Sequence, residues 1–160
     1  MNHLKKMIAL FFVIVWMLVI FSFSAKNSVD SNNMSKKFLN EIVTTTVKIV
    51  RINTTKAKIN AFVEKYNIVI RKVAHVSIYL ILSIIVTIIL DLYGIKNKKL
   101  YIYSLLFCLM YSLTDEVHQL SVDGRSGKMF DVMIDNIGIS LGLIIFMLHK
   151  YIRNNSKIKK

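Results

Sequence analysis

The sequence predicts an all-α integral membrane bundle of about four transmembrane helices, with an amphipathic helical insertion after the first. Three observations carry that reading. Of 160 residues, 54% are hydrophobic and only 19% are charged, against roughly 45–50% and about 25% in a soluble domain. Mean hydropathy is +0.51. The apolar residues gather in blocks of about 15–20, the length that crosses a hydrocarbon core of about 30 Å. This patterning argues against a soluble globular enzyme, and the abundance of Ile, Leu, Val and Phe excludes a disordered chain.

The first block, Met7 to Ala25, holds no charge and follows Lys5 and Lys6. A signal peptide would set Ser22 and Ser24 near a cleavage point. The run exceeds a signal core of about 7–15 residues and fits a span, so a retained helix is preferred. Residues 26–70 form a polar insertion that opens with a Ser- and Asn-rich cluster at Ser28–Ser35. Phe38, Leu39, Ile42 and Val43 recur at helical spacing, as do Ile59, Phe62, Val63 and Tyr66. Two amphipathic helices lying on the membrane, or on the rest of the protein, are expected. The β-branched residues Thr44–Val47 weaken the first of them.

The second span runs from about Val73 to Leu90, between Arg71–Lys72 and Asp91. A lysine-rich turn at Gly94–Lys99 leads to the third. The uncharged part of the third ends at Thr114, and that of the fourth covers only Asn136–Leu148. Neither reaches about 20 residues alone. To cross, the third must continue through Asp115, Glu116 and His118, and the fourth must begin near Met129 and include Asp131 and Asp135. Acids and a histidine are thereby forced to one end of the bundle. The expected layout is a cytoplasmic segment 1–6, a span 7–25, an extracytoplasmic insertion 26–70, a three-helix core 71–149 and a basic cytoplasmic tail 150–160.

Lys and Arg number 22 against 9 acids, a net charge of +13. The cations lie between apolar blocks and no nucleic-acid motif is visible, so they fit topology and anionic lipid head groups, not nucleic acid. With the N-terminus inside, the cytoplasmic segments hold Lys5, Lys6, Lys96, Lys98, Lys99, Lys150, Arg153, Lys157, Lys159 and Lys160. The short outer loop holds Arg125 and Lys128. The expectation is a multi-pass plasma-membrane protein with both termini cytoplasmic. The insertion, with eight cations against three acids, is the discordant feature. The single Cys108 excludes an internal disulfide and reads as a packed thiol.

The polar residues of the spans fall on stripes. Arg71, His75 and Tyr79 share one face of the second. Ser104, Cys108, Tyr111, Asp115 and His118 share one face of the third, flanked by Glu116 and Gln119. Asp131, Asp135, Gly138 and Gly142 share one face of the fourth. The ionisable groups of all three stripes sit at the same membrane end, where such residues are functional candidates. Competing readings make His75 and Tyr79 interfacial anchors or satisfied packing residues, set Asp131 and Asp135 at a helix N-terminus, and pair Arg125 with Asp115 or Asp131 to hold the loop. Gly138 and Gly142 form a GxxxG packing pattern and a candidate oligomer contact. The stretch Gly124–Lys128 lacks the Walker A spacing. It is either an anion-binding loop or a plain turn with Ser126 capping the next helix. His75 and His118 with the nearby carboxylates have metal-ligand types but no metal-binding spacing, so no metal and no cofactor is assigned.

The residues Arg71-Lys72-Val-Ala74-His75 with Tyr79, then Asp115-Glu116-Val-His118-Gln119, Gly124-Arg125-Ser126-Gly127 and Asp131 with Asp135 and Gly138 resemble the VanZ-like family over about residues 71–145. Two positions depart from the family pattern: Ile78 stands where an acid often precedes the tyrosine, and Asp123 where Pro often precedes Gly-Arg. The resemblance implies a small multi-span envelope protein linked to resistance to teicoplanin, a lipoglycopeptide. It also implies a polar signature at Arg71, His75, Tyr79, Asp115, Glu116, His118, Gln119, Arg125 and Asp131. The leading expectation is a binder of an amphiphilic or lipid-linked ligand, such as a cell-wall precursor or lipoglycopeptide, at the outer leaflet. The alternative is an enzyme acting on a lipid head group or wall precursor, with His118 or His75 as general base and Asp115 and Glu116 as further catalytic candidates. A third possibility is a bundle that supports another membrane protein.

Overall fold

The computed structural model describes residues 2–125 and 127–158, and these build five helices: α1 (Asn2–Ser24), α2 (Ser28–Val50), α3 (Lys56–Leu92), α4 (Asn97–Gln119) and α5 (Met129–Ile158). Four of them, α1, α3, α4 and α5, are long and apolar enough to cross a membrane. The chain is a helical membrane protein. The expected helix-capping role of Ser126 and the tail lysines Lys159 and Lys160 lie outside the described residues.

The length arithmetic holds at the polar end. Helix α4 continues through Asp115, Glu116 and His118, and α5 starts at Met129 and carries Asp131 and Asp135. The insertion differs from the expectation of two separate helices. Its first helix is α2, which runs straight through Thr44–Val47 and ends where Arg51 turns left-handed (φ 56°). Its second helix is continuous with the second span. Helix α3 has 37 residues, about 55 Å at the α-helical rise. No Gly or Pro interrupts it, and the stems of Arg71 and Lys72 can lie along apolar surface while their charged heads reach polar surroundings. The two cations therefore do not end the helix.

Asn27 caps α2 by accepting from the Asp30 N–H at 2.8 Å, which makes the α1–α2 turn tight. Helix α2 then packs back along the first half of α3, with Leu39 and Val63 buried between them. A polar knot joins the two: Ser35 donates to Asn67, whose amide donates to Asn32.

The core lies where α3 meets α1, α4 and α5, around Tyr79, Leu82, Val86, Cys108, Ile20 and Ile139. Helices α3 and α5 approach most closely. A Cβ at Gly138 would fall on the backbone oxygen of Val76. One at Gly142 would stand 2.5 Å from the oxygen of Leu80 and collide with the Ser83 hydroxyl. The GxxxG face is thus occupied by α3 of the same chain. The small residues let two backbones meet, the usual basis of helix packing in lipid.

Polar bonds fasten α1 to the bundle. Trp16 Nε1 donates to the Ile78 carbonyl at 2.9 Å. Tyr111 OH donates to the Met17 carbonyl at 2.6 Å. At the end remote from the polar stripes, Asp91 accepts from Lys96 at 2.9 Å and Lys150 at 2.6 Å, tying the α3–α4 turn to α5.

Candidate functional site

The stripes converge where the second half of α3, the end of α4 and the start of α5 meet. Asp135 lies at the centre, with no solvent exposure. Its Oδ2 accepts from Ser112 Oγ at 2.7 Å. Its Oδ1 stands 3.3 Å from His75 Nδ1, at ion-pair distance but out of line for a hydrogen bond. Tyr79 is fully buried beneath this pair, its ring 6.4 Å from that of Tyr111.

Two carboxylates are turned inward on structural work. Glu116 Oε2 accepts from the Lys128 backbone N–H at 2.9 Å and so holds the loop that starts α5. Asp115 Oδ2 accepts from Gln119 at 3.3 Å, and Gln119 also donates to Ser24 of α1 at 2.8 Å. Gly124 takes φ +70°, a value that favours glycine, and packs against Ser28 at the start of α2.

Arg125 does not pair with Asp115 or Asp131. It donates from Nη2 to the Phe23 carbonyl at 3.3 Å and makes no ion pair among the described residues. Asp115 bonds Gln119 instead, and Asp115, Glu116 and Asp131 act on the guanidinium only from a distance. Burial first, then the neighbouring charge of Arg71, holds the Arg125 guanidinium below its ordinary pKa.

Two cavities open beside this cluster. One, of about 370 Å³, is polar and is lined by Arg71, Lys72, His75, Arg125, Lys128 and Asp131, among others. The other, of about 650 Å³, is mostly apolar and lies between α1, α2 and α3. Arg71, His75 and Arg125 line both, so the two form one bipartite depression. Both volumes are in the range of small-molecule sites, about 300–1,000 Å³.

A family model described as VanZ/LLP1 matches residues 9–150. The chain belongs to the VanZ/LLP1 family. No curated protein and no solved structure gives a significant match.

In this VanZ/LLP1 chain the residues singled out in the sequence divide into three groups. Arg71, His75, Arg125 and Asp131 face the polar cavity, and Gln119 touches it. Tyr79, Asp135 and Glu116 are packed behind it, and Asp115 lines the apolar cleft. His118 is turned aside: its ring stacks on Phe21 of α1, centroids 4.4 Å apart, and it lines neither cavity. Lys72, Lys128 and Ser112 join the site although the sequence reading left them out. They are adjacent to assigned residues, but their positions read as loop cations and a packed hydroxyl. Among the described residues, no group of three or more His, Cys, Asp or Glu is placed to hold a metal.

Eight buried side-chain atoms have no hydrogen-bond partner among the described residues. They belong to His75, Tyr79, Asp115, Glu116, His118, Arg125, Asp135 and Asn136, all at this end of the bundle. Each such atom costs about 1–3 kcal/mol when desolvated and unpaired. Their concentration here marks a place with hydrogen-bonding capacity for a polar molecule, surrounded by apolar helix.

Proposed function

We propose that this VanZ/LLP1 chain is a cell-envelope protein that binds an amphiphilic or lipid-linked ligand at the outer leaflet, and that it thereby raises tolerance to teicoplanin. One observation carries the reading: a cationic cavity and an apolar cleft share Arg71, His75 and Arg125. A molecule with a polar head and an apolar tail would fill both at once. The teicoplanin link comes from the family resemblance, and teicoplanin carries a lipid where vancomycin does not.

The test is antibiotic susceptibility in a Gram-positive host expressing the chain, with membrane levels checked by blot. Wild type should raise tolerance to teicoplanin and leave vancomycin unchanged. Arg125→Gln should lower the effect, and His118→Ala should largely keep it, because His118 lines neither cavity. No effect of wild type at good expression, or an effect untouched by Arg125→Gln, would reject this role.

A second reading is an enzyme acting on a lipid head group or wall precursor. The pair His75–Asp135 favours it over a reaction centred on His118. A buried carboxylate 3.3 Å from Nδ1 would stabilise the imidazolium formed when Nε2 accepts a proton. His75→Ala abolishing the effect at unchanged expression, with altered lipid or precursor products in extracts, would favour this reading.

A further inference from the structure

The depression has an unusual charge balance. Four cations, Arg71, Lys72, Arg125 and Lys128, line the polar cavity against one acid, Asp131. None of the four is in a salt bridge among the described residues. Lys72 Nζ stands over the Phe130 ring, 4.4 Å from its centre. One oxygen each of Glu116, Asp115 and Asp135 accepts from Lys128 N–H, Gln119 and Ser112, and none of these carboxylates forms an ion pair with the four cations. The four cations thus crowd one cavity with no direct ion-pair partner among the described residues, and burial with the Arg71 charge outweighs the nearby acids and weakens the protonated state of Arg125. An anion seated between them relieves that crowding.

We infer that the ligand is an amphiphile with a terminal, net-anionic phosphate head, the head held by these four cations and its apolar chain laid in the cleft between α1, α2 and α3. This rests on the binding reading above and names the ligand class. Arginine forks match the oxygens of a phosphate, and several converging cations suit a group with several anionic oxygens better than a single carboxylate. A zwitterionic head fits poorly. Its ammonium would face four positive side chains, and the Phe130 ring in the polar cavity lies under Lys72. The chain half of the ligand follows from Phe23, Phe38, Ile70, Val73 and Ile78, which make the cleft apolar. Phe23, Phe38 and Val73 are also exposed on the flank of the bundle, where a lipid has lateral access.

The test uses the full chain in maltoside micelles. Binding of dioctanoyl phosphatidic acid, dioctanoyl phosphatidylcholine and inorganic phosphate is measured by thermophoresis. Phosphatidic acid should bind at least about tenfold more tightly than phosphatidylcholine, since one charge-assisted hydrogen bond is worth about that much. Inorganic phosphate should compete only at about a hundredfold higher concentration, because it cannot use the cleft. Arg125→Gln should weaken phosphatidic acid binding about tenfold, and Arg125→Lys less. Lys128→Gln, at an exposed loop position, serves if Arg125→Gln fails to fold.

Equal binding of the two lipids, both of which carry phosphate, overturns the assignment of a terminal, net-anionic phosphate head. Inorganic phosphate competing as well as the lipid overturns the chain half and leaves a free-anion site. Unchanged binding in folded Arg125→Gln or Lys128→Gln overturns the location. Teicoplanin tolerance with equal binding of the two lipids would keep the binding role and remove only the net-anionic head. No tolerance and no amphiphile binding would remove both.

Discussion

Asp135 on α5 faces His75 on α3 with 3.3 Å between Oδ1 and Nδ1, across the helix pair that packs on two glycines. The carboxylate also accepts from Ser112 of α4, so one buried acid joins three helices. Asp135→Leu removes the partner of both His75 and Ser112 and should cost about 2–4 kcal/mol. Asp135→Asn still accepts from Ser112 and should cost about half as much. Thermal unfolding in micelles would measure both, and an unchanged midpoint for Asp135→Leu would mean that the three-helix junction is not held there.

Gly138 and Gly142 are needed for space. Alanine at Gly138 would press its methyl into the Val76 carbonyl of α3, a backbone atom that cannot swing aside. Gly138→Ala should lower stability by about 1–3 kcal/mol through overpacking, and leucine at either glycine should abolish membrane accumulation. Gly94 has nothing within 4 Å of a new Cβ. There alanine meets only the strain of φ +91°, about 1–2 kcal/mol. Ranking the variants by unfolding midpoint checks this order.

Trp16 is the chain's one tryptophan, and its indole N–H is bonded to Ile78. Its fluorescence therefore reports whether α1 is docked. Trp16→Phe should cost about 1 kcal/mol, the net value of a hydrogen bond. In the wild type, the emission shift on heating should coincide with loss of helicity by circular dichroism. An emission shift well below the helicity transition would show that α1 leaves the bundle separately.

The basic segments predict an orientation with both termini cytoplasmic. In a Cys108→Ser background, a cysteine placed at Asn60 on α3 should react with an impermeant maleimide added to intact cells. One at Lys98, in the first turn of α4, should react only after permeabilisation. The reverse pattern would place the eight cations of the insertion inside, and the positive-inside count would then be governed by that segment. Wild-type Cys108, fully buried, should stay unlabelled until the protein is denatured.

The ends of α4 and α5 were legible because a charge cannot sit cheaply in hydrocarbon. Thirteen uncharged residues could not cross, so Asp131 and Asp135 had to belong to the helix. The union of the insertion with the second span was not legible. Arg71–Lys72 looks like a boundary in a hydropathy pattern, yet long cationic side chains can stay on a continuing helix. Spacing also gave the stripe that carries Asp115 and His118. It could not say that α1 would bring Phe21 against the histidine, because periodicity fixes a face and not its neighbour. Lys72 and Lys128 were hidden for a related reason: a free cation and a topology-setting cation look alike until their partners are known.

The unbroken length of α3 has a mechanical consequence. About 22 Å of rigid rod separates Lys56 from Arg71. A tilt of about 10° pivoting near Arg71 sweeps the Lys56 end through about 4 Å. Helix α2 is clasped to that rod through the Asn67 knot and forms one wall of the cleft. A load on the far tip of the hairpin would therefore be passed to the helix segment that carries Arg71 and His75, with no loop in between to absorb it.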